Sequence, residues 1–282
     1  MTSRAAALRS VGSSAFLRSG MALLLPFFLI LTNVRLMLTP AFVLAEYATP
    51  GFPPDPYGFT REERNHWASL SLEFLLNDAG LEFFDDLRLT DGQPLYKVRE
   101  LAHMVDVKRL VQNALAGWAV SVVAMGVLLA SAWRDGGWPS VRRGLFRGAR
   151  ITLILMAALL GLVVLAFPLL FEFGFHRVFF DSGTYLFYYS DTFIRLFPVR
   201  FWRDAFGLLL LLTLAQAALI AVLTRDPRVA PPQPTPIPPT SSPLPRDVRA
   251  HEGVPSSRGR GRGGGEGRPP PYLFRLSDMC RR

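Results

Sequence analysis

The sequence predicts an all-α integral membrane protein with four transmembrane helices, helical outer segments between spans 1 and 2 and between spans 3 and 4, and a disordered carboxyl-terminal tail. Half of the 282 residues are hydrophobic, and they are concentrated in four long runs. Arginine is distributed unevenly among the segments that join these runs. The end of the chain is instead rich in proline, glycine and arginine.

Four apolar runs are long enough to be membrane spans, since a helix needs about 20 mostly apolar residues to cross a bilayer. They cover roughly residues 21–44, 114–133, 151–171 and 205–223. The first run follows three arginines, as a signal peptide would, but it exceeds a signal core of about 7–15 residues. Only a poor cleavage site follows, near "VLAEYA". We therefore expect the first run to be retained as a span.

The distribution of charge predicts the orientation in the membrane. Residues 134–150 carry five arginines against the single acid Asp135, whereas residues 46–112 carry seven basic and twelve acidic side chains. Short cytoplasmic loops are enriched in lysine and arginine. We therefore expect a multi-pass protein of the plasma membrane with both termini in the cytoplasm. Its outer segments are then about 46–112 and 172–204.

These boundaries divide the chain into a cytoplasmic amino terminus (1–20), a four-span domain (21–224) and a cytoplasmic tail (225–282). The proline- and arginine-rich tail cannot bury enough apolar area to fold. Its "RGRGRGGGEGR" run could bind RNA, but a basic tail beside a membrane more often contacts anionic lipid. We expect that lipid contact and no nucleic acid partner. The single cysteine, Cys280, excludes an intramolecular disulfide and a cysteine-based metal site.

The first outer segment carries the signals of helices. Thr60 precedes Glu63 by three residues, which is the spacing of a capping box. The helix that follows has an apolar face of Leu70, Phe74 and Leu75, and "FF" at 83–84 suggests a short second helix. After "DGQP", the chain is expected to form one helix that continues into the second span.

Two histidines at the outer edges of spans are the best candidates for chemistry. His103 lies in "RELAHMVDVKRL" between Glu100 and Asp106, each three residues away, so all three share roughly one helical face. The other two histidines are weaker candidates. His66 lies beside Trp67 on the predicted helix and is interpreted as structural or solvated, and His251 lies in the tail.

The second outer segment combines dense aromatic residues with charged side chains. Aromatic residues gather at membrane interfaces, so an anchoring belt is one interpretation. His176, Asp191 and Arg195 are embedded in this belt. Because Asp191 and Arg195 are four residues apart, they are predicted to pair on one helical face.

Motifs for a protein nucleophile or a metal site are missing from the sequence. It contains no G-x-S-x-G, no H-E-x-x-H and no compact set of three metal ligands. We therefore expect no metal or cofactor. Acid–base chemistry remains, in which a histidine moves a proton, a neighbouring carboxylate orients its ring, and Arg195 or backbone N–H groups stabilise an oxyanion.

The motifs "RELAHMVDVKRLV" and "FHRVFFDSGTYLFYYSDTFIRLFPVRFW" together resemble the bacterial lipoprotein intramolecular transacylase (Lit) family, over about residues 21–223. The resemblance implies an acyltransferase that moves an acyl chain within a diacylglyceryl lipoprotein, from the glyceryl sn-2 oxygen to the α-amine of the lipidated cysteine. The family's two functional histidines match His103 and His176. Supporting or substrate-binding roles are expected for Glu100, Asp106, Lys108, Asp191 and Arg195.

The resemblance also implies that the partners are diacylglyceryl lipoproteins and membrane lipid. The alternative is a non-enzymatic membrane protein that binds envelope lipids or lipoproteins, with His103 and His176 contacting headgroups. A transporter is less favoured, because the spans contain few polar residues. Among these, Arg35 is expected to face the bundle interior. If the two histidines act together, their side chains should lie within about 10 Å, close enough to flank one ester and one amine.

Overall fold

A computed structural model describes residues 2–180 and 185–226, with side chains from Ser14 onward except that of Glu172. The helices are α1 (Thr2–Met37), α2 (Pro40–Tyr47), α3 (Arg61–Leu76), α4 (Val98–Leu169), α5 (Arg177–Phe179), α6 (Thr192–Leu196) and α7 (Val199–Thr224). A 3₁₀ helix (Leu81–Phe84) precedes α4, and a π-helix (Leu170–His176) follows it. These ranges contain no strand, one isolated bridge aside. The all-α prediction is confirmed for them, and the predicted tail beyond residue 226 lies outside them.

Three helices among the described residues are long and apolar enough to cross a membrane: Ser14–Met37 within α1, α4 and α7. Helix α4 has 72 residues, which at 1.5 Å per residue would make a straight rod of about 108 Å. It is interrupted at Gly137, whose φ of 57° lies in the region that residues with a side chain avoid. Pro139, two residues later, cannot donate a helical hydrogen bond, so a break here is expected.

The first arm of α4 runs antiparallel to α1. A Cβ added to Gly117 would lie 3.7 Å from Leu31, and one added to Gly20 would lie 3.3 Å from Leu128. Rising residue numbers on one helix therefore meet falling numbers on the other.

The second arm of α4 runs parallel to α1. Gly144 lies against Met21, and Gly148 lies against Leu25, so the residue numbers rise together. Because the two arms follow α1 in opposite directions, the chain reverses between Leu128 and Gly144. Gly137 lies inside that interval.

A buried polar cluster joins α1 to α7. Asn33 donates to Thr213 Oγ1 (3.0 Å) and to Gln216 Oε1 (2.8 Å), and Gln216 donates back to Asn33 Oδ1 (3.0 Å). Arg35 lies two residues beyond Asn33 and is exposed. The expectation that Arg35 faces the bundle interior is wrong, because two residues of a helix turn the side chain by about 200°.

Residues 60–96 fold over the start of α4. Thr60 and Glu63 form the predicted capping box, with the Glu63 N–H donating to Thr60 Oγ1 (3.1 Å) and the Thr60 N–H to Glu63 Oε2 (2.8 Å). The expected short second helix is the 3₁₀ helix. A buried cluster packs these elements together and consists of Phe74, Phe84, Leu95, Tyr96, Met104, Phe193 and Leu196.

Candidate functional site

His103 lies in the second turn of α4 and is enclosed by aromatic rings. Its side chain is on the buried face, and the residue is only 3% exposed. The centroid of its ring lies 4.8 Å from that of Phe180, 5.3 Å from Phe187 and 5.2 Å from Phe193. Its buried Nδ1 atom has no hydrogen-bond partner among the described residues. Most buried polar atoms have a hydrogen-bond partner, so this nitrogen has the capacity for one further hydrogen bond.

His176 is the last residue of the π-helix. Helical geometry fails at Ala166 (φ −145°, ψ 35°), Pro168 follows, and the chain then continues with the wider π-helical turn. His176 Nδ1 lies 2.7 Å from the carbonyl oxygen of Phe171. Because a carbonyl oxygen only accepts, Nδ1 must carry the hydrogen, and in the neutral ring Nε2 is then the basic nitrogen.

The two histidines, distant in sequence, meet at one place. Their ring centroids are 6.3 Å apart and their planes differ by 19°. Phe180 contacts both rings, at 4.8 Å from His103 and 5.6 Å from His176. The separation agrees with the expected limit of about 10 Å. In the described part of the chain, no three histidine, cysteine or acidic side chains are grouped as metal ligands.

Glu100, one turn before His103, is fully buried but does not bond the imidazole. Its Oε2 accepts the Lys97 N–H (2.9 Å), and its Oε1 accepts the Phe193 N–H of α6 (2.7 Å). The Glu100 carboxylate therefore helps to cap the start of α4 and joins α6 to α4.

Asp106 and Lys108 point away from the histidines. Asp106 forms an ion pair with Arg109 (3.5 Å), and no described contact joins it to His103. The Lys108 ammonium donates to Asn77 Oδ1 (3.1 Å) and to the Ala79 carbonyl, and lies 4.1 Å from the centroid of a buried phenylalanine ring. Lys108 thus satisfies polar groups where α3 ends.

Asp191 is fully buried and binds two cations of the α4 start. Its Oδ1 accepts from Lys97 Nζ (2.9 Å) and Arg99 (2.6 Å), and its Oδ2 accepts the Tyr188 N–H (2.8 Å). Burial raises the pKa of Asp191, but the hydrogen bonds from Arg99, Lys97 and Tyr188 outweigh it and hold the pKa below its usual value.

Arg195 is also fully engaged, but by a different acid. Its Nε and NH2 donate to Asp55 Oδ2 at 3.0 and 2.9 Å, and its guanidinium lies 3.6 Å from the centroid of the Phe59 ring. The predicted Asp191–Arg195 pair is therefore wrong. Asp191 has extended backbone geometry at the cap of a five-residue helix, so the two residues do not share a helical face.

Several residues of the site were not assigned from the sequence. Phe180, Phe187 and Phe193 form the wall around His103, and Lys97 and Arg99 bind Asp191. The density of aromatic residues after the third span was visible, but it was equally consistent with a membrane belt. His66 is exposed on α3, with its ring 4.5 Å from that of Trp67, as the structural or solvated interpretation requires.

Comparisons with known sequences identify relatives of this chain. Residues 19–202 match the family described as lipoprotein intramolecular transacylase Lit. An uncharacterized protein of Aquifex aeolicus (strain VF5) is 31% identical over 206 residues, which cover 68% of this chain and 90% of that protein.

Two solved structures have the same fold. The in meso structure of the membrane integral lipoprotein intramolecular transacylase Lit from Bacillus cereus matches with a TM-score of 0.63 at 17% identity, over 74% of this chain and 93% of that chain. A structure of Bacillus cereus Lit with a histidine-to-arginine mutation gives 0.61 at 17% identity, over 79% and 95%. The two structural matches show a shared fold. The family match covers residues 19–202, which is most of the chain. The chain therefore belongs to the lipoprotein intramolecular transacylase Lit family.

Proposed function

We propose that this protein moves an acyl chain within a diacylglyceryl lipoprotein, from the glyceryl sn-2 oxygen to the α-amine of the lipidated cysteine. Family membership supports the reaction class. The observation that carries the site assignment is the meeting of His103 and His176 at 6.3 Å inside an aromatic enclosure. No cofactor is needed, because the donor ester and the acceptor amine belong to one molecule.

The reaction needs proton transfers but no enzyme nucleophile. The amine nitrogen loses a proton and attacks the ester carbonyl carbon. The oxyanion that forms then collapses, the bond to the glyceryl oxygen breaks, and that oxygen takes up a proton. Because amine and ester belong to one molecule, the attack is already unimolecular, and the site has only to hold the two groups in a reactive geometry.

His176 is proposed as the proton acceptor for the amine. Its Nδ1 hydrogen is directed to the Phe171 carbonyl, which fixes the tautomer, and Nε2 is then the basic nitrogen proposed to receive the proton. The same proton can then pass to the leaving glyceryl oxygen. His103, whose Nδ1 has no described partner, is proposed to bind the ester and its developing oxyanion.

Four charged residues are proposed to support the site indirectly, through the elements that surround it. Asp191 and Arg195 fix the two sides of α6, through the start of α4 and through Asp55. Lys108 fixes the end of α3. For Asp106, the described partner is Arg109, so its proposed contribution is small.

The same proposal includes four membrane crossings with both termini in the cytoplasm. The reversal of α4 around Gly137 supports two crossings within that helix, and the arginines of residues 134–150 support its cytoplasmic side. The histidines then lie at the outer leaflet, where lipoprotein lipids are. Reporter fusions should give an outside signal at Gly92 and an inside signal at Gly137. An inside signal at Gly92 would reject the outer site. Contact of the tail with anionic lipid remains a proposal for residues outside those described.

The decisive test is the lipid on a lipoprotein's N-terminal cysteine. The protein is co-expressed with a diacylglyceryl lipoprotein in a host that lacks other N-acylation, and the N-terminal peptide is analysed by mass spectrometry. Conversion to the N-acyl lyso form is expected. An unaltered diacylglyceryl cysteine beside well-inserted protein would favour the alternative, binding of envelope lipids or lipoproteins without chemistry.

A further inference from the structure

Glu100 is a fully buried carboxylate whose two oxygens are both occupied by backbone donors. One oxygen accepts the Lys97 N–H at 2.9 Å and the other accepts the Phe193 N–H at 2.7 Å. The second bond joins α4 to α6, two elements that are far apart in sequence.

Phe193 links this carboxylate to His103. Its ring stands edge-on to the imidazole, with centroids 5.2 Å apart and planes at 84°. Phe187 packs on both rings, 5.4 Å from Phe193 and 5.3 Å from His103. The backbone of Phe193 is therefore held by Glu100, while its side chain closes one side of the histidine.

We infer that Glu100 is a positioning residue that acts on His103 through Phe193, by fixing how closely the aromatic wall encloses the imidazole. Its complete burial and its two backbone bonds distinguish this role from contact with the substrate. The consequence for the rate of acyl transfer rests on the proposed function. The consequence for the accessibility of His103 does not.

The chain offers a matched control in Glu63 of α3. Glu63 accepts the N–H of Thr60 at 2.8 Å, just as Glu100 accepts that of Lys97, so each acid bonds the backbone amide of the N-cap residue that precedes its helix. Glu63 has no described contact with the histidines or with the aromatic wall. A variant of Glu63 therefore reports the loss of a helix cap alone, about 1 kcal/mol.

The experiment uses the full-length protein in detergent and four variants: Glu100→Ala, Glu100→Gln, Phe193→Leu and Glu63→Ala. The first readout is the rate at which diethyl pyrocarbonate modifies His103, followed by peptide mass spectrometry with the exposed His66 as internal reference. The second readout is kcat and KM for a diacylglyceryl lipopeptide.

Glu100→Ala and Phe193→Leu are expected to raise the modification rate of His103 several-fold and leave that of His66 unchanged. Acyl transfer should fall by up to about 10²-fold, mainly in kcat, because misplacement by an ångström costs that much. Glu100→Gln keeps one acceptor oxygen and should give intermediate values in both readouts. Glu63→Ala should match the wild type.

The inference is overturned if Glu100→Ala and Glu100→Gln leave His103 as protected as Glu63→Ala does. It is also overturned if Phe193→Leu does not reproduce the effect of Glu100→Ala. Should Glu100→Ala not accumulate, Glu100→Gln and Phe193→Leu decide the question alone. A wild-type protein without acyl transfer would remove the proposed function, while the modification rates would still decide the role of Glu100.

Discussion

The two ends of the helical bundle are held together by different physical means. At one end, Gly144 and Gly148 of α4 let its backbone approach Met21, Ala22 and Leu25 of α1, with 3.1 Å between the position of a Gly148 Cβ and the Ala22 Cα. Small residues of this kind allow close van der Waals packing of membrane helices. At the other end, aromatic rings and the ion pairs of two buried carboxylates, Asp55 and Asp191, join segments that are distant in sequence.

The difference shows where this fold can hold chemistry. At the glycine end, α1 and α4 pack so closely that a Cβ added to Gly144 or Gly148 would lie 3.0 Å or less from Met21 or Leu25. The stability of this end therefore depends on the volume of the side chains there. The histidine end depends on hydrogen bonds and charge pairs with defined geometry, and it encloses His103 and His176. A substitution at the first end should therefore change stability, whereas one at the second can change the reaction.

The largest expected effect is on catalysis alone. Replacing His176 with alanine removes the proposed proton acceptor, and replacing His103 removes the proposed oxyanion-binding group. In each variant, conversion of the diacylglyceryl lipoprotein should fall by about 10²–10⁴-fold. The amount of inserted protein should not change. The readout is the ratio of lyso to diacylglyceryl N-terminal peptides by mass spectrometry. His66→Ala is the matched control and should keep most activity. Full activity in both variants would keep the enzyme and reject this site.

The next largest effect is expected from a variant that removes a charge pair at the histidine end. In Asp55→Asn, Arg195 and Arg64 lose the charge of a carboxylate whose side chain is fully buried. Breaking a buried ion pair typically costs about 3–5 kcal/mol, so unfolding in detergent should occur at a much lower temperature. Asp106→Asn is the control: its ion pair with Arg109 is partly exposed and is worth at most about 1 kcal/mol. Equal stability losses in the two variants would contradict the assignment of Asp55.

A smaller effect is expected from overpacking the glycine end. In Gly148→Leu, the Cβ atom alone would lie 3.0 Å from the Leu25 side chain and 3.1 Å from the Ala22 Cα, before the rest of the new side chain is added. Overpacking costs typically about 1–3 kcal/mol, so the unfolding temperature should fall. The specific acyl-transfer rate of the folded fraction should stay close to that of the wild type. Gly161→Leu is the control, because nothing lies within 4 Å of a Cβ there. If Gly148→Leu lowered the specific rate and left stability unchanged, the assignment of stability to the glycine end and of the reaction to the histidine end would be contradicted.

The smallest expected effect concerns pH and tests the protonation of Glu46. Burial and the nearby charge of Asp204 raise the pKa of Glu46 from 4.5 to about 7, although Arg200 opposes this. The folded protein thus keeps a proton that the unfolded chain releases, so this contribution is complete below pH 4.5 and is lost as the pH rises through about 7. The unfolding temperature should fall between pH 5 and pH 8, and less so in Glu46→Gln. Identical pH profiles would show that Glu46 is ionised throughout.

The parts of this structure that could be predicted from the sequence are those encoded within one element. The apolar runs, the capping box of Thr60 and Glu63, and the separate placement of the two histidines at the edges of spans are local patterns. The partners of Asp191 and Arg195 could not be predicted, because spacing identifies neighbours only on a helix long enough to have faces. The orientation of Arg35 likewise depends on which face of α1 meets α7. The π-helical turn before His176 left no signal beyond Pro168.

The hydrogen bond from His176 to the Phe171 carbonyl determines which kinds of mutation can affect this site. The acceptor is a main-chain atom, so every amino acid at position 171 presents it. Substitutions there can change the packing of the ring but cannot delete the acceptor. Adding or removing one residue between 171 and 176 would change which carbonyl faces the imidazole. The length of this segment, more than its composition, is therefore the heritable property that fixes the histidine's tautomer.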